Sequence, residues 1–309
     1  MKKFIAIMLV ATMLVVFVPF STTLADDNNN DDDTFTIVWL SDTQDMSCYS
    51  YNHAMQTMGQ WISNQKESLD IRYVVQTGDA VENGANPRYW DEFDLMLNEF
   101  KDEVPYIGAA GNHEVKKNGY LEYLQRPEVT SIPKENVYKN GEASFQTFEV
   151  NGYKFIIVAT GFGIEEESID WVNSVLQNHK DYLAILLYHD YMQTNGRFSI
   201  NGKLMYRQIV ALNPNVCLIL CGHVCEGSHS VSSRVDTIDD NNDGTVDRNV
   251  NQLMYNYQSS GMDCGQLRTL LFNTENHSIT VTTYSPVTEK YYRDWMNGDN
   301  YTFILKDAF

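Results

Sequence analysis

The stretch VPYIGAAGNHE, residues 104–114, sets the reading of the whole chain. A short run of apolar and aromatic residues stops at Gly111, and Asn112, His113 and Glu114 follow at once. The same punctuation recurs elsewhere. FTIVWL (35–40) is followed by Ser41-Asp42-Thr43-Gln44, and IRYVVQT (71–77) by Gly78-Asp79 and then Asn83. LAILLY (183–188) is followed by His189-Asp190, and VCLIL (216–220) by Cys221-Gly222-His223-Val224-Cys225. Runs this short and this continuously apolar predict strands buried on both faces. Another such run lies at 155–160.

Helical segments lie between several of these strands. Asn86-Pro87 reads as a cap with a first-turn proline, and Trp90, Phe93, Leu97 and Phe100 then fall at helical spacing. Ser168 likewise precedes Ile169, Val172, Val175 and Leu176, and 53–64 reads as a further helix. The alternation predicts an α/β fold. From Val250 the pattern changes: 252–257, 267–273, 277–284 and 301–305 read as successive strands joined by short turns, predicting a second, more antiparallel sheet.

Five predicted strands thus each deliver an Asp, Asn or His at the carboxyl end. In α/β folds those ends share one edge of the sheet, where ligands bind. Residues far apart in sequence would converge there, and carboxylate, amide oxygen and imidazole together suit divalent transition metals. Glycines at 78, 111 and 222 let the backbone turn sharply, so that the next side chain points into the site. Taken singly, each residue has an ordinary structural reading. Asp42 caps a helix, Asp79 makes a turn, and His113 and His189 are satisfied core histidines. The ordered set outweighs those readings together.

The set Asp42-x-Gln44, Gly78-Asp79-(x3)-Asn83, Gly111-Asn112-His113-Glu114, His189 and Gly222-His223-x-Cys225 resembles the calcineurin-like metallophosphoesterases, in order from Asp42 to Cys225. The resemblance implies a four-layer αββα sandwich, two mixed β-sheets flanked by helices, with a dinuclear metal site at the strand C-terminal edge. It implies that Asp79 bridges two divalent transition-metal ions (Mn, Fe or Zn) and that Asp42 binds the first. Asn112, His189 and His223 would complete the second. His113 would approach the phosphate and its leaving group rather than bind metal. The implied activity is hydrolysis of phosphate mono- or diesters. Two cations roughly 3.5–4 Å apart clamp the phosphoryl oxygens, and a bridging hydroxide attacks phosphorus in line. A protonated His113 would stabilise the developing charge or protonate the leaving oxygen.

Two positions depart from the commonest family pattern. Gln44 stands where the first motif usually has His, and Cys225 where the last one does. Both fall on the first metal. An amide oxygen is a neutral, harder ligand. Cys225 is either a thiolate ligand, favouring zinc or iron, or a bystander, with His229 or His53 as compensating ligands; pairing with Cys221 is the competing reading. Behind the ligands, Asn83 either supports the site or makes an ordinary turn, and Glu114 supports the Asn112–His113 turn. His53, His179 and His277 otherwise read as surface or structural. Toward substrate, Phe162, Tyr191, Asn195 and Arg197 follow strands at the expected rim. An arginine there suits an anionic substrate. The binding-protein alternative keeps the same scaffold with a degraded first metal site and no catalysis.

Asp239, Asn241, Asp243 and Asp247, with Gly244 at the sixth place, resemble the opening of a calcium loop. The twelfth place is Val250 rather than Glu, and an Asn/Asp-rich turn between strands is the competing reading.

Of 309 residues, 43% are hydrophobic and 20% charged, which excludes disorder or coiled coil as the main architecture. Forty-one acidic against 22 basic residues give a formal charge of −19. That field disfavours nucleic-acid duplexes and anionic membranes as partners and, without cations, phosphoester substrates too. Lys2-Lys3, an apolar run over 4–20 and STTLA at 21–25 read as a signal peptide (1–25), with an uncleaved membrane anchor as the competing reading. DDNNNDDD at 26–33 reads as an acidic linker ahead of a single domain over 34–309. These features predict a secreted or cell-surface protein, for which the resemblance implies a small-molecule or extracellular phosphoester substrate. Five cysteines in 309 residues are too few for a disulfide scaffold, and an odd number leaves one unpaired.

Overall fold

The computed structural model describes residues 33–49, 51–115, 119–163, 166–227, 229–293 and 301–309. The leader and all but the last residue of the acidic linker lie outside them. Two mixed sheets pack face to face, with helices on their outer faces. In the first sheet β1 (Thr34–Leu40) runs parallel to β2 (Ile71–Gln76), and β2 parallel to β3 (Tyr106–Gly108). In the second, β6 (Tyr153–Thr160), β7 (Leu183–Tyr188), β8 (Val216–Cys221) and β10 (Arg248–Asn256) are parallel. The edges of this sheet are antiparallel, through β4 (Val137–Tyr138) and β5 (Ala143–Val150) on one side and β9 (Ser230–Ile238) on the other.

The apolar runs are uninterrupted because each strand is covered twice. Ile37 and Trp39 of β1 face the space between the sheets, with Phe155, Ile157, Ile185, Leu220 and Tyr255. Val38 and Leu40 face outward onto α1 (Ala54–Gln65) and α2 (Pro87–Asn98), against Met58, Ile62, Phe93 and Met96. The second sheet repeats this arrangement. Ile156, Val158, Leu186 and Ile219 pack on α3 (Glu166–Asn178) and α4 (Ile200–Gln208). A period of two with both faces apolar is the signature of a sandwich interior. Helix α2 starts as read, with Asn86 Oδ1 accepting from the Arg88 amide (3.2 Å) and Pro87 in the first turn.

The tail departs from the sequence reading. It does not build a sheet of its own. β10 pairs parallel to β8 in the second sheet. The chain then crosses the sandwich, and β11 (Leu267–Asn273) pairs antiparallel with β1 in the first. β12 (Ser278–Ser285), β13 (Lys290–Tyr292) and β14 (Thr302–Leu305) extend that sheet. Hydrophobic alternation marks a strand and its faces but says nothing of its neighbour. β5 and β9 went unread because their alternation mixes Ser, Thr, Gln, Glu, Arg and Asp into strands at or near an edge.

The consequence for function is geometric. β1, β2 and β3 end beside one another in one sheet, and β7 and β8 end in the other. Backbone bonds tie the loops that follow: Asp42 N to Gly78 O (3.1 Å), Gly222 N to His189 O (3.1 Å) and Phe162 N to Ala110 O (2.8 Å).

Candidate metal centre

Asp42, Asp79 and His223 each sit in the left-handed backbone region, with φ of 52°, 50° and 72°. Non-glycine residues rarely adopt it, and it is tolerated where surrounding structure enforces it. Here it swings each side chain off its strand end into the rim. The adjoining glycines make room for carboxylates. A Cβ on Gly111 would lie 2.2 Å from Asp79 Oδ1 and from its backbone nitrogen, and one on Gly222 2.0 Å from Asp42 Oδ2.

The side chains gather around His189. Its Nδ1 lies 2.9 Å from Thr77 O, an atom that only accepts, so Nδ1 carries hydrogen and Nε2 faces the site. That Nε2 is 3.1 Å from Asp79 Oδ2, 3.2 Å from Asn112 Oδ1 and 3.1 Å from His223 Nδ1. Among the described residues, Asp79, His189 and His223 are the one group of three His, Cys, Asp or Glu side chains whose ligand atoms all lie within 4.8 Å. Asp42 is held beside them by the His223 amide, 3.0 and 3.2 Å from its two oxygens, and by the Ser41 hydroxyl at 2.5 Å. Gln44 is buried, and its Nε2 lies 3.4 Å from Asp79 Oδ2.

Electrostatics follow from burial. Burial, with Asp79 nearby, pushes the Asp42 carboxyl up to about 7 against the pull of His189, Ser41 and the His223 amide. Burial would raise Asp79 as well, but His189 against it holds it below the usual carboxylate range. Burial would likewise lower His189, and Asp79 overrides this, lifting it to about 10. The donor set fits divalent cations. Two carboxylates that repel each other, two imidazoles and two amides face one small space. Gln44 Oε1 is buried with no hydrogen-bond partner among the described residues.

Glu114 ties two of the loops together. Its carboxylate accepts from the amides of Asp79 (3.0 Å), Gly111 (2.6 Å) and Val81 (3.1 Å), locking the loops after β2 and β3 together. Burial and Asp79 push it up to about 7. His113 donates its amide to Asp79 Oδ1 (2.9 Å), and its ring Nδ1 lies 2.7 Å from Glu82 O and 3.1 Å from Glu82 Oε2. Its Nε2 is 3.8 Å from Asp79 Oδ2, at the edge of the cluster rather than inside it. Asn83 takes the turn reading, with Oδ1 accepting from Ala85 N at 3.1 Å.

Other positions fall elsewhere. Cys225 Sγ lies 3.2 Å from Ser259 Oγ and 3.5 Å from Gly227 O, outside the Asp79–His189–His223 group. It is not paired with Cys221, and all five cysteines are free. His229 packs on Tyr257 and Tyr292 (ring centroids 4.8 and 6.1 Å), and His53 is an exposed residue ahead of α1. Tyr191 corrects the sequence reading. It is fully buried, stacked on Tyr188, with its hydroxyl donating to Gln252 Oε1 (2.6 Å), so it is core and not rim. Arg197 is exposed on the turn closed by the Met192–Phe198 bridge, where Asn195 Oδ1 accepts its amide (3.0 Å). Phe162 does reach the site, its ring 6.0 Å from that of His189 and 5.7 Å from that of His223.

The 239–247 segment forms the turn between β9 and β10, and its oxygens hold its own backbone. Asp239 accepts from the Asp243 and Gly244 amides (3.1 and 2.7 Å), Asn241 from Asp243 (2.8 Å), Asp243 from Thr245 (2.8 Å) and Asp247 from Asp240 (2.8 Å).

Sequence reasoning missed Asn256 and Gln258. Gln258 Oε1 accepts a short hydrogen bond from Gln44 Nε2, reaching the site from the end of β10. The signal was available: like the others, that buried strand delivers polar amide side chains at its carboxyl end.

The fold and the side chains converging from the strand ends together define a metallophosphoesterase sandwich. Residues 35–227 match the calcineurin-like phosphoesterase family, and the chain belongs to it. Members of this family use a dinuclear divalent metal centre, for which Asp79, His189 and His223 form a candidate ligand group. The chain is 36% identical over 286 residues to the uncharacterized protein YvnB of Bacillus subtilis (strain 168), covering 90% of this chain but 21% of that protein. In fold it is similar to a dimetal phosphatase from Danio rerio, with a TM-score of 0.58 and 12% identity over 89% of this chain and 99% of that one. It is also similar to the purple acid phosphatase PPD1 of yellow lupin (Lupinus luteus), with a TM-score of 0.57 and 13% identity over 88% of this chain and 54% of that one.

Proposed function

We propose that this chain is an exported metal-dependent phosphoesterase that hydrolyses phosphate mono- or diesters of small or extracellular substrates. The carrying observation is the gathering of Asp79 Oδ2, His189 Nε2, His223 Nδ1 and Asn112 Oδ1, supplied by four separate loops. The sequence of the leader supports export.

Asp42, Gln44 and Asp79 would hold the first divalent cation, and Asp79, Asn112, His189 and His223 the second. When bound, such ions offset phosphoryl charge and acidify water. The chain's own groups do the rest. Glu114 fixes Asp79 and the Gly111 turn through three amides, so the ligands need little rearrangement. Thr77 O and Glu82 O fix the ring orientations of His189 and His113. With Nδ1 anchored, His113 can hold a proton on Nε2 and deliver it to a leaving oxygen. Phe162 offers an apolar wall against which the organic part of the ester packs.

The test is turnover of chromogenic mono- and diesters by the purified chain with manganese, zinc or iron, and its loss in Asp79→Asn. Two bound ions with turnover support the enzyme. A specific observation favours a second reading: Cys225 is engaged by Ser259 and Gly227. A non-catalytic binding protein with a degraded first site predicts one ion or none, and no turnover with any of the three metals.

A further inference from the structure

The two terminal atoms of a glutamine amide are nearly alike in shape and opposite in chemistry, so hydrogen-bond partners decide which one faces where. For Gln44 the decision starts at the backbone. The Gln258 N–H can only donate, and it donates to Asn256 Oδ1 at 2.8 Å. With Oδ1 so fixed, Asn256 Nδ2 is the atom turned toward Gln258 Oε1, 3.1 Å away. Gln258 Oε1 is therefore an acceptor, and the Gln44 atom against it is Nε2. Nε2 also approaches Asp79 Oδ2 at 3.4 Å, a second acceptor for its second hydrogen. What is left is Gln44 Oε1, buried and with no hydrogen-bond partner among the described residues. A buried carbonyl oxygen in that condition calls for a cation or a water.

We propose that Asn256 and Gln258 are positioning residues: the relay Gln258 N–H, Asn256 amide, Gln258 Oε1, Gln44 Nε2 locks Gln44 so that its carbonyl oxygen is presented as a ligand of the first cation. This rests on the metal-dependent reading above. The relay has a direction, and each amide is forced by the one before it. It also explains how the first site works with a neutral amide where the family usually has an imidazole: the amide is held from behind by residues of β10 and the turn that follows.

The experiment is manganese titration of the metal-stripped full chain. Calorimetry reads the two affinities, and electron paramagnetic resonance reads the coupling of paired ions. Wild type is expected to take up two ions. In Asn256→Asp one carboxylate oxygen still accepts the Gln258 N–H, but the other has no hydrogen to give. Gln258 must then present Nε2, Gln44 must reverse, and an NH2 group faces the first site. The first cation should weaken about tenfold or more, the usual scale for losing a group that orients a ligand, while the second is unchanged. The sign is diagnostic, because plain Coulomb attraction predicts that an added carboxylate strengthens a nearby cation site. Gln258→Met, which removes the acceptor, should also weaken only the first ion. In a Gln44→Glu background, where either terminal atom is a ligand oxygen, adding Asn256→Asp should cost nothing further. Equal or tighter first-ion binding in Asn256→Asp overturns the relay. A wild type that binds one ion, lost in His189→Ala, and still turns over the chromogenic esters removes Gln44 as a ligand and sinks this inference alone. No uptake by wild type sinks the metal-dependent reading itself.

Discussion

The two halves of the candidate metal centre are built differently. On the side proposed for the second cation, Asp79, Asn112, His189 and His223 reach one another directly, and their loops are pinned by Glu114 and Thr77. On the side proposed for the first cation, Asp42 is rigidly held, but Gln44 depends on a turn more than two hundred residues away, and Cys225 leans on Ser259 of that same turn. The difference teaches that one half is fixed by motifs that carry their own supports, while the other borrows its order from the tail. Substitutions should therefore divide by the half they touch.

The largest effect is expected from Gly111→Ala. A Cβ placed 2.2 Å from the Asp79 nitrogen and carboxylate must displace the residue shared by both halves. Activity should fall about 10²-fold or more, the scale of an ångström's misplacement at a reacting centre. Near-normal turnover in this variant would mean that Asp79 is not central. Glu114→Gln comes next. It turns an amide NH2 toward backbone N–H groups, which should cost about 1–3 kcal/mol of stability. Metal affinity or activity should fall about 10–100-fold, read by thermal melts and calorimetry. Equal weakening of both ions would blur the division; a larger loss at the Asp79–His189 half would sharpen it.

Proton release gives a gentler test. In the metal-free protein Asp42 is pushed up to about 7 and His189 to about 10, so both hold protons at mildly acidic pH. Cations must displace these protons, so affinity should climb from about pH 6 to about pH 8. Calorimetry in buffers of different ionisation enthalpy should register protons leaving. Affinity that is flat with pH would show that neither group yields a proton on binding. The smallest effect is expected from Cys225→Ser. Because Sγ already contacts Ser259 and Gly227, uptake of both ions should change only a few-fold. Loss of the first ion alone would instead make Cys225 a thiolate ligand.

Much of this candidate site is legible in the sequence. Asp42, Asp79, Asn112, His189 and His223 were readable because each follows an apolar strand, and strand carboxyl ends of an α/β sheet lie on one edge. The support role of Glu114 was readable from its place in the Gly-Asn-His-Glu turn. Tyr191 was misplaced because a residue just past a strand can turn inward as easily as outward, and only packing against Tyr188 and Gln252 settles the choice. The tail strands are legible, and β11 and β12 do pair antiparallel, but β10 joins the other sheet and β11 takes β1 as its second neighbour.

The sequence by itself determined the strands, their double-sided burial and the type of chemistry at their ends, because periodicity and residue type are local properties. Tertiary structure alone decided which strands became neighbours, since pairing depends on long-range contacts that no short window contains. It therefore also decided that β10 would end beside β8, where Asn256 and Gln258 meet Gln44. An amide side chain has no preferred orientation of its own. Only the partners that the fold brings to it decide which of its two faces meets the site.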